Sequence, residues 1–172
     1  MSAAAKIAFS LPGDCEVRIT RLFTAPRERI FECYTQAQWL KRWLGPEGWD
    51  FAICDNDPVA GGRYRWLWRN AQGEELGMQG EYLKIVRPAE IMRTEIFEQD
   101  RNRTETIGWL VLNNAEGGTS VTTSVLFPTP EARDTALAAG MNRGIAASFD
   151  RLDLLLSLDR GGSQSAAPAL VL

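Results

Sequence analysis

The sequence predicts an α+β fold in which a curved antiparallel sheet of seven strands wraps around one long C-terminal helix. The first observation behind this prediction is an amphipathic stretch at 130–160 that is long enough to cover a sheet. The second is the alternation of apolar and polar residues in several segments between 15 and 127, which is typical of half-buried strands. The third is that short turns join most of these segments, which favours antiparallel neighbours. Only the last helix is long enough to cover the apolar face of such a sheet.

The C-terminal helix has recognisable start and stop signals. Thr129 can cap it, Pro130 suits the first helical position, and the pair Gly161-Gly162 is expected to end it. Seven residues of the predicted apolar arc are Leu137, Met141, Ile145, Ser148, Leu152, Leu155 and Leu156. Gly140 and Gly144 lie inside the helix, where each costs about 1 kcal/mol relative to alanine. They indicate either a close approach of the helix to the sheet or open volume beside it.

The clearest strand is the segment 61–69, in which aromatic residues share one face and arginines share the other. The aromatic face carries Tyr64, Trp66 and Trp68, and the basic face carries Arg63, Arg65 and Arg69. The predicted strands are 15–23, 49–54, 61–69, 77–86, 91–97, 104–112 and 119–127. Two short helices are expected between the first and second strands, the first beginning at Pro26 and the second carrying Trp39 and Trp43 one turn apart.

A single domain is predicted at 14–160. The segment 1–13 before it is expected to be a flexible N-terminal arm, and the segment 161–172 after it a disordered tail rich in Gly, Ser and Ala. The length of 172 residues and the apolar content of 45% are sufficient for one substantial core.

Composition excludes several classes of function. The chain has no histidine, which removes histidine general bases, histidine-dependent nucleophiles and nearly all catalytic zinc arrangements. A net charge of −3 without basic clusters argues against nucleic-acid binding, and no apolar run is long enough to span a membrane. Three cysteines without paired spacing predict reduced thiols and a cytoplasmic location. Neither a metal nor a cofactor is indicated, because no phosphate-binding glycine loop is present.

Several segments together carry a resemblance to a known family. They are 23–31 (FTAPRERIF), 40–46 (LKRWLGP), 61–65 (GGRYR), 80–88 (GEYLKIVRP) and 140–152 in the last helix. This set, over about residues 15–158, resembles the activator-of-Hsp90-ATPase-like (AHSA1-like) family of the START/Bet v 1-like (SRPBCC) superfamily. The resemblance implies a helix-grip fold with an internal, mostly apolar cavity between sheet and helix. It also implies several functions, because members include ligand binders, cyclases and aromatases, and a domain of an Hsp90 co-chaperone.

Ten residues are predicted to line this cavity and bind a ligand. They are Trp39, Trp43, Tyr64, Trp66, Trp68, Tyr82, Trp109, Met141, Ile145 and Phe149. The alternative for each is a purely structural role, because aromatic side chains fill ordinary cores as well as binding sites. Three alternating aromatic residues on one strand exceed what a core of this size needs, and their N–H and O–H groups require partners when buried.

No catalytic residue is assigned. The acid–base candidates left without histidine are Glu81, Arg93, Glu95, Tyr64, Tyr82 and Cys54. Both carboxylates fit solvent-facing strand positions, which favours a structural role for them. The arginines of segment 61–69 are expected to be solvated or paired with acids on the neighbouring strand, and a protein-docking surface is the alternative.

The expected function is binding of a small apolar or aromatic molecule between sheet and helix, without catalysis. Two alternatives stay open: a polyketide cyclase- or aromatase-like enzyme, and an Hsp90-type co-chaperone or other protein-interaction module. The expected partner is a small hydrophobic ligand, while a homodimer and a chaperone partner are open alternatives.

Overall fold

Eight strands form between residues 8 and 126 in the computed structural model, which describes residues 7–162. They are β1 (Ala8–Ser10), β2 (Glu16–Phe23), β3 (Trp49–Asn56), β4 (Arg63–Asn70), β5 (Glu75–Val86), β6 (Glu90–Phe97), β7 (Glu105–Ala115) and β8 (Gly118–Leu126). All pair antiparallel in one sheet of order β1-β2-β8-β7-β6-β5-β4-β3. The meander from β3 to β8 follows the short turns of the sequence, and β2 closes onto β8.

The predicted count of seven strands is wrong by one. The additional strand, β1, pairs with β2 in a register that places Phe9 opposite Ile19. All three β1 residues are exposed, so backbone pairing defines this strand and no apolar alternation indicated it. It lies within the segment 1–13, for which the sequence predicts an arm. From residue 163 onward, the predicted tail lies outside the described residues.

Four helices complete the described part of the chain. They are α1 (Arg27–Thr35), α2 (Ala37–Trp43), α3 (Pro130–Ala138) and α4 (Met141–Gly162). The two short helices between strands are as predicted. At α3, the Thr129 hydroxyl accepts a hydrogen bond from the backbone N–H of Ala132 at 3.1 Å, which confirms the predicted cap.

The single helix predicted at 130–160 is wrong in two respects. The chain breaks it at Gly140, whose φ of +92° ends one helix and starts another. The predicted stop at Gly161-Gly162 is also wrong, because α4 continues through Gly162. The long C-terminal helix of the predicted fold is therefore α4, and α3 is a separate short helix before it.

The two glycines of this region should respond oppositely to alanine. Gly140→Ala is expected to destabilise the protein by about 1–2 kcal/mol, because its positive φ strains a residue with a Cβ. Gly144→Ala is expected to stabilise it by about 0.5–1 kcal/mol, because a Cβ there meets nothing within 4 Å and the backbone is helical. Thermal unfolding of both variants tests this. Equal shifts in Tm would contradict the break at Gly140.

The core lies between the inner face of the sheet and one side of α4. Phe149, Leu152, Leu155 and Leu156 are each less than 5% exposed. The ring of Phe149 meets that of Phe23 edge-on, with centroids 5.5 Å apart. Each such buried side chain contributes about 1.5–3 kcal/mol through removal of apolar surface from water. The predicted apolar arc is therefore correct in its C-terminal half, while Leu137, Met141 and Ile145 pack on the core only partly buried.

Polar contacts fix α2 against α4. The Arg151 guanidinium on α4 donates hydrogen bonds to the carbonyl oxygens of Trp43, at 2.9 Å, and Gly45. The Ser148 hydroxyl donates to the same Gly45 carbonyl at 3.2 Å. These bonds satisfy carbonyls at and just beyond the C-terminal end of α2, which has no further intrahelical partners for them. The short helices are thereby held over one end of the core.

Candidate functional site

The aromatic face of β4 points into the core, as its alternation predicts. Tyr64, Trp66 and Trp68 are each no more than 3% exposed. Their rings form a continuous row, with centroids 4.4 Å apart for Tyr64–Trp66 and 6.3 Å apart for Trp66–Trp68. The row belongs to the same buried cluster as Phe149 and Leu152 of α4.

Most polar groups of the interior aromatic residues have protein partners. The Tyr64 hydroxyl donates to the Thr94 carbonyl at 2.6 Å, and the Trp68 indole donates to the Leu44 carbonyl at 3.1 Å. The Trp43 indole donates to the Cys33 carbonyl at 2.9 Å, and the Tyr82 hydroxyl donates to Asn56 Oδ1 at 2.6 Å. The indole N–H of Trp66 differs, because it is buried and has no hydrogen-bond partner among the described residues.

Two predicted site residues lie away from the interior row. Trp109 faces outward from β7, is 36% exposed, and donates from its indole to Glu90 Oε1 at 2.9 Å. The buried residues of that strand are Gly108, Leu110 and Leu112. The Trp109 side chain therefore points away from the aromatic row, although the residue is one of those that line the small cavity described below. Trp39 is half-buried beneath the guanidinium of Arg29, 4.1 Å from its ring.

A buried ion pair lies beside the aromatic row. The carboxylate oxygen Oε1 of Glu95 accepts a hydrogen bond from Arg93 Nε at 3.0 Å and lies 2.9 Å from Nη2 in an ion pair. The side chains of Arg93 and Glu95 are only 14% and 10% exposed. The guanidinium lies 4.9 Å above the Trp66 ring. The sequence-based preference for a solvent-facing Glu95 is therefore wrong.

A glycine on the neighbouring strand leaves space for this ion pair. Gly108 lies opposite Arg93 on β7, and a Cβ there would clash with the Glu95 carboxylate. Burial lowers the pKa of Arg93, but attraction to Glu95, Tyr64 and Tyr82 and the hydrogen bond to Glu95 together outweigh it, so the pKa of Arg93 is raised overall and the guanidinium stays protonated. Burial has the opposite effect on the neutral acid Tyr64, whose pKa it raises. The pair therefore acts as two opposite charges held in a largely dry environment.

Two buried hydroxyl groups next to the ion pair lack hydrogen bonds. The Tyr34 hydroxyl and Thr123 Oγ1 lie near each other, but neither has a hydrogen bond of acceptable geometry among the described residues. Burial raises the pKa of Tyr34, so the phenol stays neutral. Both residues line a small, partly open cavity of about 20 Å³, together with Arg93, Glu95, Gly108 and Trp109. A cavity of this size holds about one water molecule.

A larger depression, of about 610 Å³, lies on the outer face of the sheet. Its charged lining residues are Asp55, Arg63, Arg65, Glu81, Arg103 and Glu105. Arg65 is bound there by both oxygens of Glu98, at 2.6 and 3.0 Å, and Arg69 pairs with Glu75 on β5. The Arg69–Glu75 pair is of the expected kind, with an acid on the neighbouring strand, whereas the partner of Arg65 follows β6, which is not adjacent to β4. The larger of the two cavities is thus polar and lies outside the core.

Neither a metal centre nor a reactive thiol stands out. Within residues 7–162, no three Cys, Asp or Glu side chains form a group that could bind a metal ion. Burial raises the pKa of the Cys33 thiol to about 11, so it stays protonated and inert at neutral pH. No helix in the described range is both long and apolar enough to cross a membrane.

Comparison with known proteins identifies the family. The model of the activator of Hsp90 ATPase homolog 1-like protein family matches residues 24–157. The chain belongs to this family. The match covers β3 to α3, both short helices and most of α4, so the interior site described above lies within the family's shared domain. No curated protein matches the chain.

Solved structures share the fold. A protein from Rhodobacter sphaeroides superposes with a TM-score of 0.83 at 27% identity, over 89% of this chain and 99% of that one. A protein from Mycobacterium smegmatis gives 0.78 at 22% identity, covering 90% and 98% of the two chains. An AHSA1 protein from Silicibacter pomeroyi gives 0.71 at 19% identity, covering 84% and 99%. The predicted helix-grip fold is thereby confirmed, with eight strands in place of seven.

The sequence predicted the aromatic part of the interior but missed its polar part. Tyr34 lies among the buried residues of α1, where its hydroxyl adds a polar group to the interior. Thr123 and Gly108 carry no motif of their own. A tyrosine at a position expected to be buried could have indicated a polar group in the interior, because a buried tyrosine hydroxyl requires a hydrogen-bond partner.

Proposed function

We propose that the protein binds a small, largely apolar or aromatic molecule in the interior between the sheet, α1 and α4. The observation that carries this proposal is a set of buried polar atoms that make no hydrogen bond of acceptable geometry within residues 7–162: the Tyr34 hydroxyl and neighbouring Thr123 Oγ1, and the Trp66 indole N–H. Leaving such an atom unsatisfied costs about 1–3 kcal/mol, so native proteins rarely bury several together without water or a ligand. The row of rings on β4 supplies the apolar surface beside them.

Binding requires the interior to open. The volume of the small cavity, about 20 Å³, is far below the roughly 300 Å³ of ordinary ligand pockets. The α3–α4 elbow is the element best suited to move, because α3 has no buried residue and Gly140 lies at its junction with α4. Met141 and Ile145, at the start of α4, pack on the core while still partly exposed. Because these two residues are only partly buried, moving them aside exposes less apolar surface than moving a fully buried residue of α4 such as Phe149.

Native mass spectrometry of the purified protein tests this proposal directly, because it reports a retained small molecule and the subunit count together. Titration with 2-naphthol, followed by tryptophan emission and equilibrium dialysis, tests binding when nothing is retained. We expect saturable binding that Ile145→Ala weakens several-fold. Leu154→Ala is the matched control, since Leu154 lies on the same helix and is 65% exposed. Absence of both a retained molecule and saturable binding overturns the proposal.

A second candidate is binding of an Hsp90-type ATPase, which the description of the matching family favours. The outer sheet face offers an apolar surface for it, where Trp109 and Leu126 on neighbouring strands are each 36% exposed. The measurement is stimulation of the ATPase activity of a bacterial Hsp90 homologue. This candidate requires stimulation by the wild-type protein that Trp109→Ala reduces and Ile145→Ala leaves unchanged.

A further inference from the structure

The hydroxyls of Tyr34 and Thr123 form a small polar end to the interior site. Tyr34 comes from α1 and is 6% exposed, while Thr123 lies on the inner face of β8. Both face the cavity of about 20 Å³ and lack hydrogen bonds of acceptable geometry among residues 7–162. A hydroxyl can both donate and accept. The cavity therefore offers hydrogen-bonding capacity in a place sized for one oxygen atom and its hydrogens.

The charges beside this cavity cancel. Glu95 Oε1 accepts a hydrogen bond from Arg93 Nε at 3.0 Å and lies 2.9 Å from Nη2, so each charge already has its counter-ion. A ligand carboxylate placed here would meet Glu95 without a free cation to balance it. A ligand ammonium would meet Arg93 in the same way. Either would lose its hydration and gain no net attraction, which makes a charged group unfavourable at this position.

A ligand end without polar atoms is unfavourable as well. It would exclude water from the cavity and leave both hydroxyls buried without partners, at the cost that attends any unsatisfied buried group. From these two exclusions we infer that the ligand has an apolar ring body and an uncharged hydrogen-bonding end, such as a hydroxyl, which binds Tyr34 and Thr123 beside the Arg93–Glu95 pair. This inference rests on the proposed function and specifies the chemical class of its ligand.

Three probes that share one ring system test the inference. They are 2-naphthol, naphthalene and 2-naphthoate, which present the same ring with a hydroxyl, a hydrogen and a carboxylate. Equilibrium dialysis against the wild-type protein is expected to give about tenfold tighter binding of 2-naphthol than of naphthalene, as one additional satisfied buried hydrogen bond predicts. The carboxylate is expected to bind most weakly of the three.

A double variant tests whether the Tyr34 and Thr123 hydroxyls cause the preference for 2-naphthol. Tyr34→Phe/Thr123→Val removes both hydroxyls at nearly constant volume and should reduce the preference for 2-naphthol over naphthalene to within about twofold. Thr122→Val is the matched control, because Thr122 lies on the outer face of the same strand and bonds Thr20 there at 3.1 Å. It should leave the preference of the wild-type protein unchanged.

The outcomes separate the inference from the proposed function. Equal binding of 2-naphthol and naphthalene means that the hydroxyls hold only a structural water, and it overturns the inference while the proposed function survives. Tightest binding of 2-naphthoate also overturns the inference alone, as does a tenfold preference that persists in the double variant. Failure of all three probes to bind, together with no retained molecule in native mass spectrometry, overturns the proposed function itself. If the double variant does not fold, the comparison of the three probes on the wild-type protein still tests the inference.

Discussion

Replacing Glu95 by leucine is expected to lower the free energy of unfolding by about 3–5 kcal/mol, because it leaves the Arg93 guanidinium buried without a counter-ion. The guanidinium cannot relieve this cost by losing its proton, since arginine stays charged throughout the accessible pH range. Its remaining neighbours are the faces of Trp66 and Tyr64, at 4.9 and 5.7 Å from the ring centroids. A cation–π contact of this kind contributes about 2 kcal/mol at most and does not replace a carboxylate.

Urea denaturation measures this effect, and an exposed ion pair provides the control. Glu75→Leu removes the partner of Arg69 in a pair whose side chains are 43% and 53% exposed, and it should cost less than about 1 kcal/mol. The double variant Arg93→Met/Glu95→Leu removes both charges and should recover most of the stability lost in Glu95→Leu. If Glu95→Leu costs no more than Glu75→Leu, water reaches the interior pair and the site is not dry.

The sheet could be predicted because its signal is local. Alternation in the segment 61–69 fixes which residues of β4 share a face, and the short turns fix the antiparallel order. The strand β1 lacks this signal, because its residues are all exposed and only its backbone pairs with β2. The elbow at Gly140 also has no local signal, since one glycine fits both a helix interior and a break. Its φ of +92° depends on how each of the helices α3 and α4 packs on the rest of the protein, which the local sequence does not show.

The polar part of the site could not be predicted, because in two strands the distribution of apolar residues does not indicate which face is buried. In β7, the outer residues Ile107, Trp109 and Val111 are more apolar than the inner Gly108, Leu110 and Leu112, so the pattern alone favours the wrong face. A shift of one residue exchanges the two faces of a strand completely. Trp109 was therefore placed inside.

The same ambiguity in β6 hid the ion pair. Its outer residues Met92 and Ile96 are apolar, whereas the inner positions hold Arg93 and Glu95. A charged pair on the buried face contradicts the usual partition of residues, which is why both carboxylate candidates were expected to face solvent. Such a departure from local rules is typical of functional sites, where buried polar groups are kept in spite of their cost.

Trp66→Ala should be as destabilising as the loss of Glu95, with an expected cost of about 3–5 kcal/mol. Trp66 is 0% exposed at the centre of the aromatic row, so its removal forfeits apolar burial and leaves a cavity against Tyr64 and Trp68. For a chain of this length, such a loss lowers Tm by on the order of 10 °C. Trp109→Ala is the matched control, because Trp109 is 36% exposed and its loss should cost less than about 1 kcal/mol.

The cavity left by Trp66→Ala also permits a test by rescue. Its walls are mainly aromatic, and apolar cavities of this kind bind small ring compounds. Indole added to Trp66→Ala should raise Tm in a concentration-dependent way, since a ligand that binds only the folded state stabilises it. The wild-type protein and Trp109→Ala should respond less. Equal losses of stability in Trp66→Ala and Trp109→Ala would contradict the inward orientation of the β4 aromatic row, and with it the apolar half of the proposed binding site.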